Sequence, residues 1–209
     1  MANLGRIERM DDLRAIWPHE ARDFSKWLSQ EENLALLSEE IGINLVLEEL
    51  ESAAGSFSVD LYAAEEGTGR KVIIENQLED TNHDHLGKII TYASVKGAEI
   101  VIWIVKKARD EHKQAVEWLN QHTDESIGFF LLEIELWKIG GSLPAPKFNV
   151  IERPNDWVKA IWLPRGFPIR RGFNWNSGRH STNTPFRKNR SEPCSPKERL
   201  SRSIGMISA

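Results

Sequence analysis

The stretch SVDLYAAEEGTGRKVIIENQLEDTNHDHLGKIITY, residues 58–92, decides how this chain folds. Apolar and β-branched residues on either side of the turn sequence EEGTG predict a β-hairpin. In such a hairpin Asp60 and Glu75 face each other across neighbouring strands. Because side chains alternate along a strand, Glu75 and Gln77 point to one face of the sheet and Asn76 points to the other.

Two carboxylates that face each other repel unless a proton or a cation lies between them. Oxygen ligands of this kind suit Mg²⁺ or Mn²⁺, so Asp60 and Glu75 are candidates for a hard-metal site. The alternative is that both are ordinary polar strand residues that face water. The spacing by itself favours the alternative, and the choice depends on the surrounding sequence.

Asp60, followed after fourteen intervening residues by Glu75-x-Gln77, resembles the motif of the PD-(D/E)XK nuclease superfamily, with Gln77 in place of the usual Lys. The longer phrase ENQ…HDHLG…YA is similar to an uncharacterised bacterial branch of that superfamily. The resemblance runs roughly from Leu4 to Trp157. It implies an α/β fold with a restriction-endonuclease-like core, α-β-β-β-α-β, in which a mixed sheet is flanked by helices.

The resemblance also implies a catalytic site. Asp60 and Glu75, with the backbone carbonyl of Asn76, would hold one or two Mg²⁺ or Mn²⁺ ions for metal-assisted hydrolysis of phosphodiester bonds. Gln77 would orient the attacking water. A neutral amide cannot accept a proton, so the general base would be the metal-bound hydroxide, a neighbouring phosphate or one of the histidines His83 and His85.

An acidic residue on the first helix often joins the metal site of the resembled superfamily, and HEARDFSKWL is similar to that element. Glu20 is therefore a third catalytic candidate. The alternative is a Glu in the first turn of a helix that offsets the helix dipole. Glu39 and Glu40 compete for the same role, although a solvated helix face also explains them.

Lys88 and Tyr92 lie four residues apart on the helix predicted near 82–96, on a single face. Several nucleases of the superfamily have a Gln-x-x-x-Tyr pair at this place that helps to hold substrate or metal. Lys88 would supply the positive charge that Gln77 lacks, and Tyr92 would contact the substrate. The alternative is an exposed Lys and a partly buried Tyr with no catalytic duty.

His83 and His85 lie at the start of the same helix and are candidates for contact with a phosphate or the attacking water. Two residues apart on a helix, their rings diverge by roughly 200°, which disfavours joint binding of zinc. The sequence offers a single cysteine, Cys194, as a further zinc ligand. The phrase beginning at Asn82 is also able to cap the helix without any catalytic role.

The remaining elements follow from hydrophobic periodicity. They are a short strand or extended lead within 4–17, helices from 19 to 42 interrupted near Ser29, strands at 43–51, 56–64 and 70–78, a helix at 82–96, a strand at 99–105, a helix at 109–121 and a strand at 128–139. The first of the three successive strands is predicted to end in a turn at 53–55. The run IVIWIV predicts a central strand that is buried on both faces.

The chain has 209 residues, of which 40% are hydrophobic and 28% charged, enough for one domain with a stable core. That domain is predicted at 1–163 and includes an extended arm at 141–163. Trp157 and Trp162 are expected to cover a sheet edge rather than to stack on bases. Residues 164–209 are rich in Arg, Ser, Asn and Pro and are predicted to be disordered.

Charge is divided unevenly along the chain. Residues 1–163 contain 17 Lys and Arg against 29 Asp and Glu, whereas 164–209 contain 10 against 2. An acidic body repels a phosphate backbone, so contact with nucleic acid is expected to be local. The basic segment either tethers nucleic acid or is the altered end of a longer protein, and the sequence leaves both open.

The sequence disfavours disulfide-rich, membrane-spanning and secreted proteins. One cysteine excludes an intramolecular disulfide framework, and no run approaches the roughly 18 to 20 apolar residues of a membrane span. The N-terminus lacks the apolar run of a signal peptide, so a cytoplasmic protein is expected.

The sequence thus predicts a Mg²⁺-dependent nuclease that acts on nucleic acid, DNA in preference to RNA, and that is a possible homodimer. A second hypothesis is a catalytically inactive nuclease-fold module that binds nucleic acid or a protein partner, which Gln77 and the acidic surface favour. A third is a structural or interaction domain in which the ENQ and HDH phrases only shape the fold.

Overall fold

The structure, a computed structural model, describes residues 4–154 as a mixed sheet with helices on both faces. The strands are β1 (Ile7–Met10), β2 (Leu45–Ala54), β3 (Phe57–Glu65), β4 (Lys71–Asp80), β5 (Ile100–Lys107), β6 (Gly128–Ile139) and β7 (Ala145–Glu152). The helical elements are a short turn Leu13–Ala15, a π-helical segment Glu20–Ser25 that continues into α1 (Lys26–Leu28), α2 (Glu31–Ile41), α3 (His83–Lys96) and α4 (Asp110–His122). Each element that periodicity predicted is present.

The strand pairing defines the fold class. β2, β3 and β4 pair antiparallel, and β4, β5 and β6 pair parallel. β6 also pairs antiparallel with β1 and with β7. A mixed sheet with helices before β2, between β4 and β5 and after β5 is the predicted core order, so the predicted α/β fold class is confirmed.

Two details of the predicted elements differ. The turn expected at 53–55 is displaced, because Ala54 still pairs with Phe57 and only Gly55 and Ser56 lie between the strands. The arm expected at 141–163 contributes a strand to the sheet, since β7 pairs with β6. The expectations for Trp157, for Trp162 and for the segment 164–209 lie outside the described residues.

The helical region before β2 is divided as predicted. Ser29 and Gln30 separate α1 from α2, and Gly42 ends α2. Gly42 has a φ of 71°, the left-handed conformation that favours glycine, and its N–H donates to the carbonyl of Ser38 at 2.9 Å. None of the helices within residues 4–154 is long and apolar enough to cross a membrane.

The sheet separates two hydrophobic clusters. Along β5 the residues 100–105 are fully buried, as the run IVIWIV predicted, with even-numbered side chains in one cluster and odd-numbered ones in the other. The π-helical segment, α1 and α2 cover the first face, and α3 and α4 cover the second. The buried polar residues Glu75, Asn76 and Gln77 of β4, the strand next to β5, therefore lie between these two clusters.

Phe24 is expected to be the most sensitive core position of the N-terminal helical region. It is fully buried, and its ring lies 4.8 Å from that of Trp17 and 5.6 Å from that of Trp27, measured between centroids. Phe24→Ala should lower the free energy of unfolding by about 3 to 5 kcal/mol in urea titrations, because the cavity cannot be filled. Leu143→Ala is the control, since Leu143 is 88% exposed. Equal effects of the two substitutions would contradict this packing.

Candidate active site

Asp60 and Glu75 lie where two antiparallel strands separate. The last β3–β4 pair is Leu61 with Ile74, and beyond it β3 stays with β2 while β4 continues beside β5. Across this opening Asp60 Oδ2 accepts the backbone N–H of Asn76 at 2.8 Å, and the Glu75 carboxylate accepts the backbone N–H of Asp60. The backbone thus holds the two carboxylates close together.

Glu20 brings a third carboxylate to β4. It is the first residue of the π-helical segment, and its Oε2 accepts the backbone N–H of Leu78 at 2.6 Å. Its charge acts on both Asp60 and Glu75. The competing candidates Glu39 and Glu40 are exposed on α2 and are not among the charges that act on this pair.

Burial and mutual repulsion make the carboxylates hard to ionise. Burial, followed by the charge of Asp60, raises the pKa of Glu75 to about 8. Burial also raises the pKa of Asp60 to about 6, against the lowering effect of the Asn76 N–H. The pKa of Glu20 is raised by the same main cause. The cluster therefore favours either bound protons or a bound cation at neutral pH.

Lys88 on α3 is a cation within electrostatic reach of this cluster. It is exposed, and its charge lowers the pKa of Glu20, Asp60 and Glu75 alike. Tyr92, one turn further along α3, is 4% exposed, and its pKa is raised by burial and then by the charges of Glu75 and Asp60. Both α3 residues singled out from the sequence therefore lie within electrostatic reach of the carboxylates.

Asn76 and Gln77 are buried on opposite faces of β4. Asn76 Nδ2 donates to Ser25 Oγ at 2.8 Å, on the face covered by the N-terminal helices. Gln77 Nε2 donates to the carbonyl of Asp80 at 2.7 Å, which leaves its Oε1 as the group able to orient a water. Three buried oxygens have no hydrogen-bond partner within residues 4–154: Glu75 Oε2, Asn76 Oδ1 and Gln77 Oε1.

The two histidines at the start of α3 contact different neighbours. Asn82 caps the helix, because its Oδ1 accepts the N–H of His85 at 2.9 Å, and His85 Nδ1 lies 3.1 Å from the same oxygen. His83 Nδ1 instead lies 3.0 Å from Nε2 of His112 on α4. The two rings of the His83-x-His85 pair thus have separate partners, as helix geometry requires. His112 has no recognisable signal in the sequence, where it is a single histidine in the first turn of an amphipathic helix.

The carboxylates are chemically suited to bind a divalent cation, but they are not arranged around a common metal position in the structure. Buried hard oxygens with raised pKa values are the ligands that Mg²⁺ and Mn²⁺ prefer, and Glu75 Oε2 has no other partner among the described residues. No group of three or more His, Cys, Asp or Glu side chains within residues 4–154 is placed to hold a metal ion, however. Asp60 and Glu20 each direct an oxygen at a β4 backbone N–H.

Comparisons with known proteins give structural likeness only. No protein-family model and no curated protein matches the chain. Among solved structures, a repair endonuclease from Pyrococcus abyssi matches with a TM-score of 0.38 and 14% identity, over 53% of this chain and 45% of that one. An EndoMS–dsDNA complex matches with a TM-score of 0.36 and 17% identity, over 50% of this chain and 45% of that one. The chain therefore spans less than half the length of either protein.

Proposed function

We propose that this chain is a metal-dependent nuclease that hydrolyses phosphodiester bonds of nucleic acid. The observation that carries the proposal is the pair of carboxylates Asp60 and Glu75, with Glu20 within electrostatic reach, whose pKa values are raised by burial and repulsion. Burial disfavours the ionised forms of these carboxylates, and a divalent cation would offset their charge where protons otherwise do.

The residues that would hold Mg²⁺ or Mn²⁺ are Asp60 and Glu75, with the backbone carbonyl of Asn76 and with Glu20 as the further candidate. When bound, the ion would supply a Lewis acid beside the scissile phosphate. Ion binding requires Asp60 and Glu75 to be ionised. The buried Oε2 of Glu75, which has no hydrogen-bond partner within residues 4–154, is the oxygen most in need of a cation.

Three further side chains act on the substrate in this proposal. Lys88 offsets the charge that develops on the phosphate, because it is an exposed cation within electrostatic reach of the carboxylates. Gln77 orients water through Oε1. His85, half-buried beside its cap, has a pKa lowered by burial and by Lys88, so its imidazole is neutral at pH 7 and able to accept a proton.

DNA rather than RNA is the substrate class that the family resemblance implies. The acidic balance of residues 1–163 means that contact with the phosphate backbone must be confined to a few positions. Lys88, at the mouth of the carboxylate cluster, is one such position.

An inactive nucleic-acid-binding module is the second candidate function. It is favoured by Gln77, whose amide nitrogen is committed to the Asp80 carbonyl and carries no positive charge to stabilise a transition state. Such a protein would bind nucleic acid without cutting it.

The test is incubation with plasmid, single-stranded DNA and RNA in Mg²⁺, Mn²⁺ or EDTA, for the unmodified protein and for Lys88→Gln. We expect cleavage that requires the divalent ion, and a rate about 10²-fold lower in Lys88→Gln, because the amide removes the charge. Lys147→Gln is the matched control, since Lys147 is exposed on β7. DNA binding in gel shifts without any cleavage would favour the inactive module instead.

A further inference from the structure

Trp103 carries a buried hydrogen-bond donor for which residues 4–154 offer no partner. Its side chain is fully buried in the middle of β5, and its Nε1 is unpaired among the described residues. An indole N–H can only donate, and leaving such a group unpaired in a core destabilises the folded chain. Native proteins rarely retain this cost without a use for the group.

Trp103 stands beside Glu75 in the sheet. The two residues are register partners in the parallel β4–β5 pair. Their neighbours Ile73 and Val101, which are also partners, belong to the same hydrophobic cluster as Trp103. Since side chains alternate along both strands, Trp103 and Glu75 lie side by side on the face covered by α3 and α4.

His112, a second polar side chain in contact with Trp103, has no free ring nitrogen to accept the indole hydrogen. The ring of His112 lies 5.8 Å from the indole in an edge-to-face contact. Both nitrogens of that ring are already engaged, Nδ1 with Thr81 Oγ1 at 2.8 Å and Nε2 with His83 Nδ1 at 3.0 Å. On this face of β4, the acceptors without a partner in residues 4–154 are Glu75 Oε2 and Gln77 Oε1.

We propose that the Trp103 indole N–H is a positioning donor for the Glu75 carboxylate, either through one internal water or directly after a small side-chain rotation, since the structure places no hydrogen bond between the two side chains. One donor and two acceptors, all buried and without partners in the described part of the chain, are the kind of groups that hold such a water. A hydrogen bond donated to a carboxylate oxygen restricts the orientation of the carboxylate. Trp103 would therefore prepare Glu75 to bind a cation without touching the substrate. This role rests on the proposed function, in which Glu75 is a metal ligand.

The chain already contains the same type of bond. Trp137 Nε1 donates to Glu135 Oε2 at 2.8 Å, where Glu135 is buried. Its indole proton is an internal reference for a tryptophan that donates to a carboxylate. The same spectrum contains the exposed Trp118, whose substitution is a matched control.

The first test uses ¹H–¹⁵N spectra of the indole groups in metal-free protein. The Trp103 signal, identified by its loss in Trp103→Phe, is expected to lie near that of Trp137. It should shift in Glu75→Ala and largely keep its position in Glu75→Gln, which retains an acceptor oxygen. A Trp103 signal that Glu75→Ala does not move would overturn the proposal, whether or not the protein binds metal.

The second test measures Mg²⁺ affinity by calorimetry. Trp103→Phe keeps the aromatic packing and removes the donor, and it should weaken Mg²⁺ binding about tenfold. Trp118→Phe should leave the affinity unchanged. Equal affinities in Trp103→Phe and the unmodified protein would refute the positioning role. If the unmodified protein binds no Mg²⁺, the proposed function fails, and the spectra alone decide whether Trp103 donates to Glu75.

Discussion

Glu75→Ala is expected to abolish both Mn²⁺ binding and cleavage of nucleic acid while the fold persists. Glu75 is buried in the sheet and has an oxygen without a partner among the described residues. It is also the carboxylate whose pKa is raised most, so it is the one most in need of a cation. Its loss should lower the cleavage rate by about 10³-fold, comparable to the loss of a central charge-stabilising group.

The measurement is calorimetric titration of Mn²⁺ into the unmodified protein and into Glu75→Ala, together with incubation of both with plasmid and single-stranded DNA. Glu117→Ala, an exposed change on α4, should behave like the unmodified protein. Persistent metal binding and cleavage in Glu75→Ala would place the active site elsewhere. An unmodified protein that binds no Mn²⁺ would favour the inactive module.

Without divalent cations, the free energy of unfolding should fall as the pH rises from about 5 to about 8. The pKa of Glu75 is raised from an ordinary value of 4.5 to about 8 in the folded state. In this window the folded chain holds a proton that the unfolded chain releases, so each pH unit costs up to about 1.4 kcal/mol and the total approaches roughly 4 kcal/mol. The decrease in the free energy of unfolding begins as the pH passes the unfolded pKa of 4.5 and is complete above the folded pKa of about 8.

Urea titrations in EDTA at pH 5, 6.5 and 8 measure this slope. In Glu75→Gln the free energy of unfolding should change less with pH, because the amide does not titrate. The pH dependence that remains should come from Asp60, whose pKa is raised to about 6 and acts in the same direction. Excess Mg²⁺ should restore stability at pH 8 in the unmodified protein and not in the variant. Identical slopes in the two proteins would show that Glu75 does not carry the raised pKa.

The local sequence was sufficient to predict the strands and helices around the site. Turn residues between two apolar runs predicted the β3–β4 hairpin, and alternation along β4 separated Asn76 from its neighbours, as its bond to Ser25 shows. The same local reasoning located the helix break at Ser29 and the helix end at Gly42. These features depend on residues a few positions apart, so the conformational preferences and periodicity of the local sequence determine them.

Only the tertiary structure decided which distant groups meet at the site. Glu20 reaches the N–H of Leu78 across 58 positions of sequence, and His83 meets His112 across 29. No periodicity encodes such pairs, because they depend on how helices pack on the two faces of the sheet. The raised pKa of Glu75 has the same origin, since burial and the charge of Asp60 exist only in the folded chain. The sequence determined the hairpin and its carboxylates, and folding determined their electrostatics and the unpaired indole beside them.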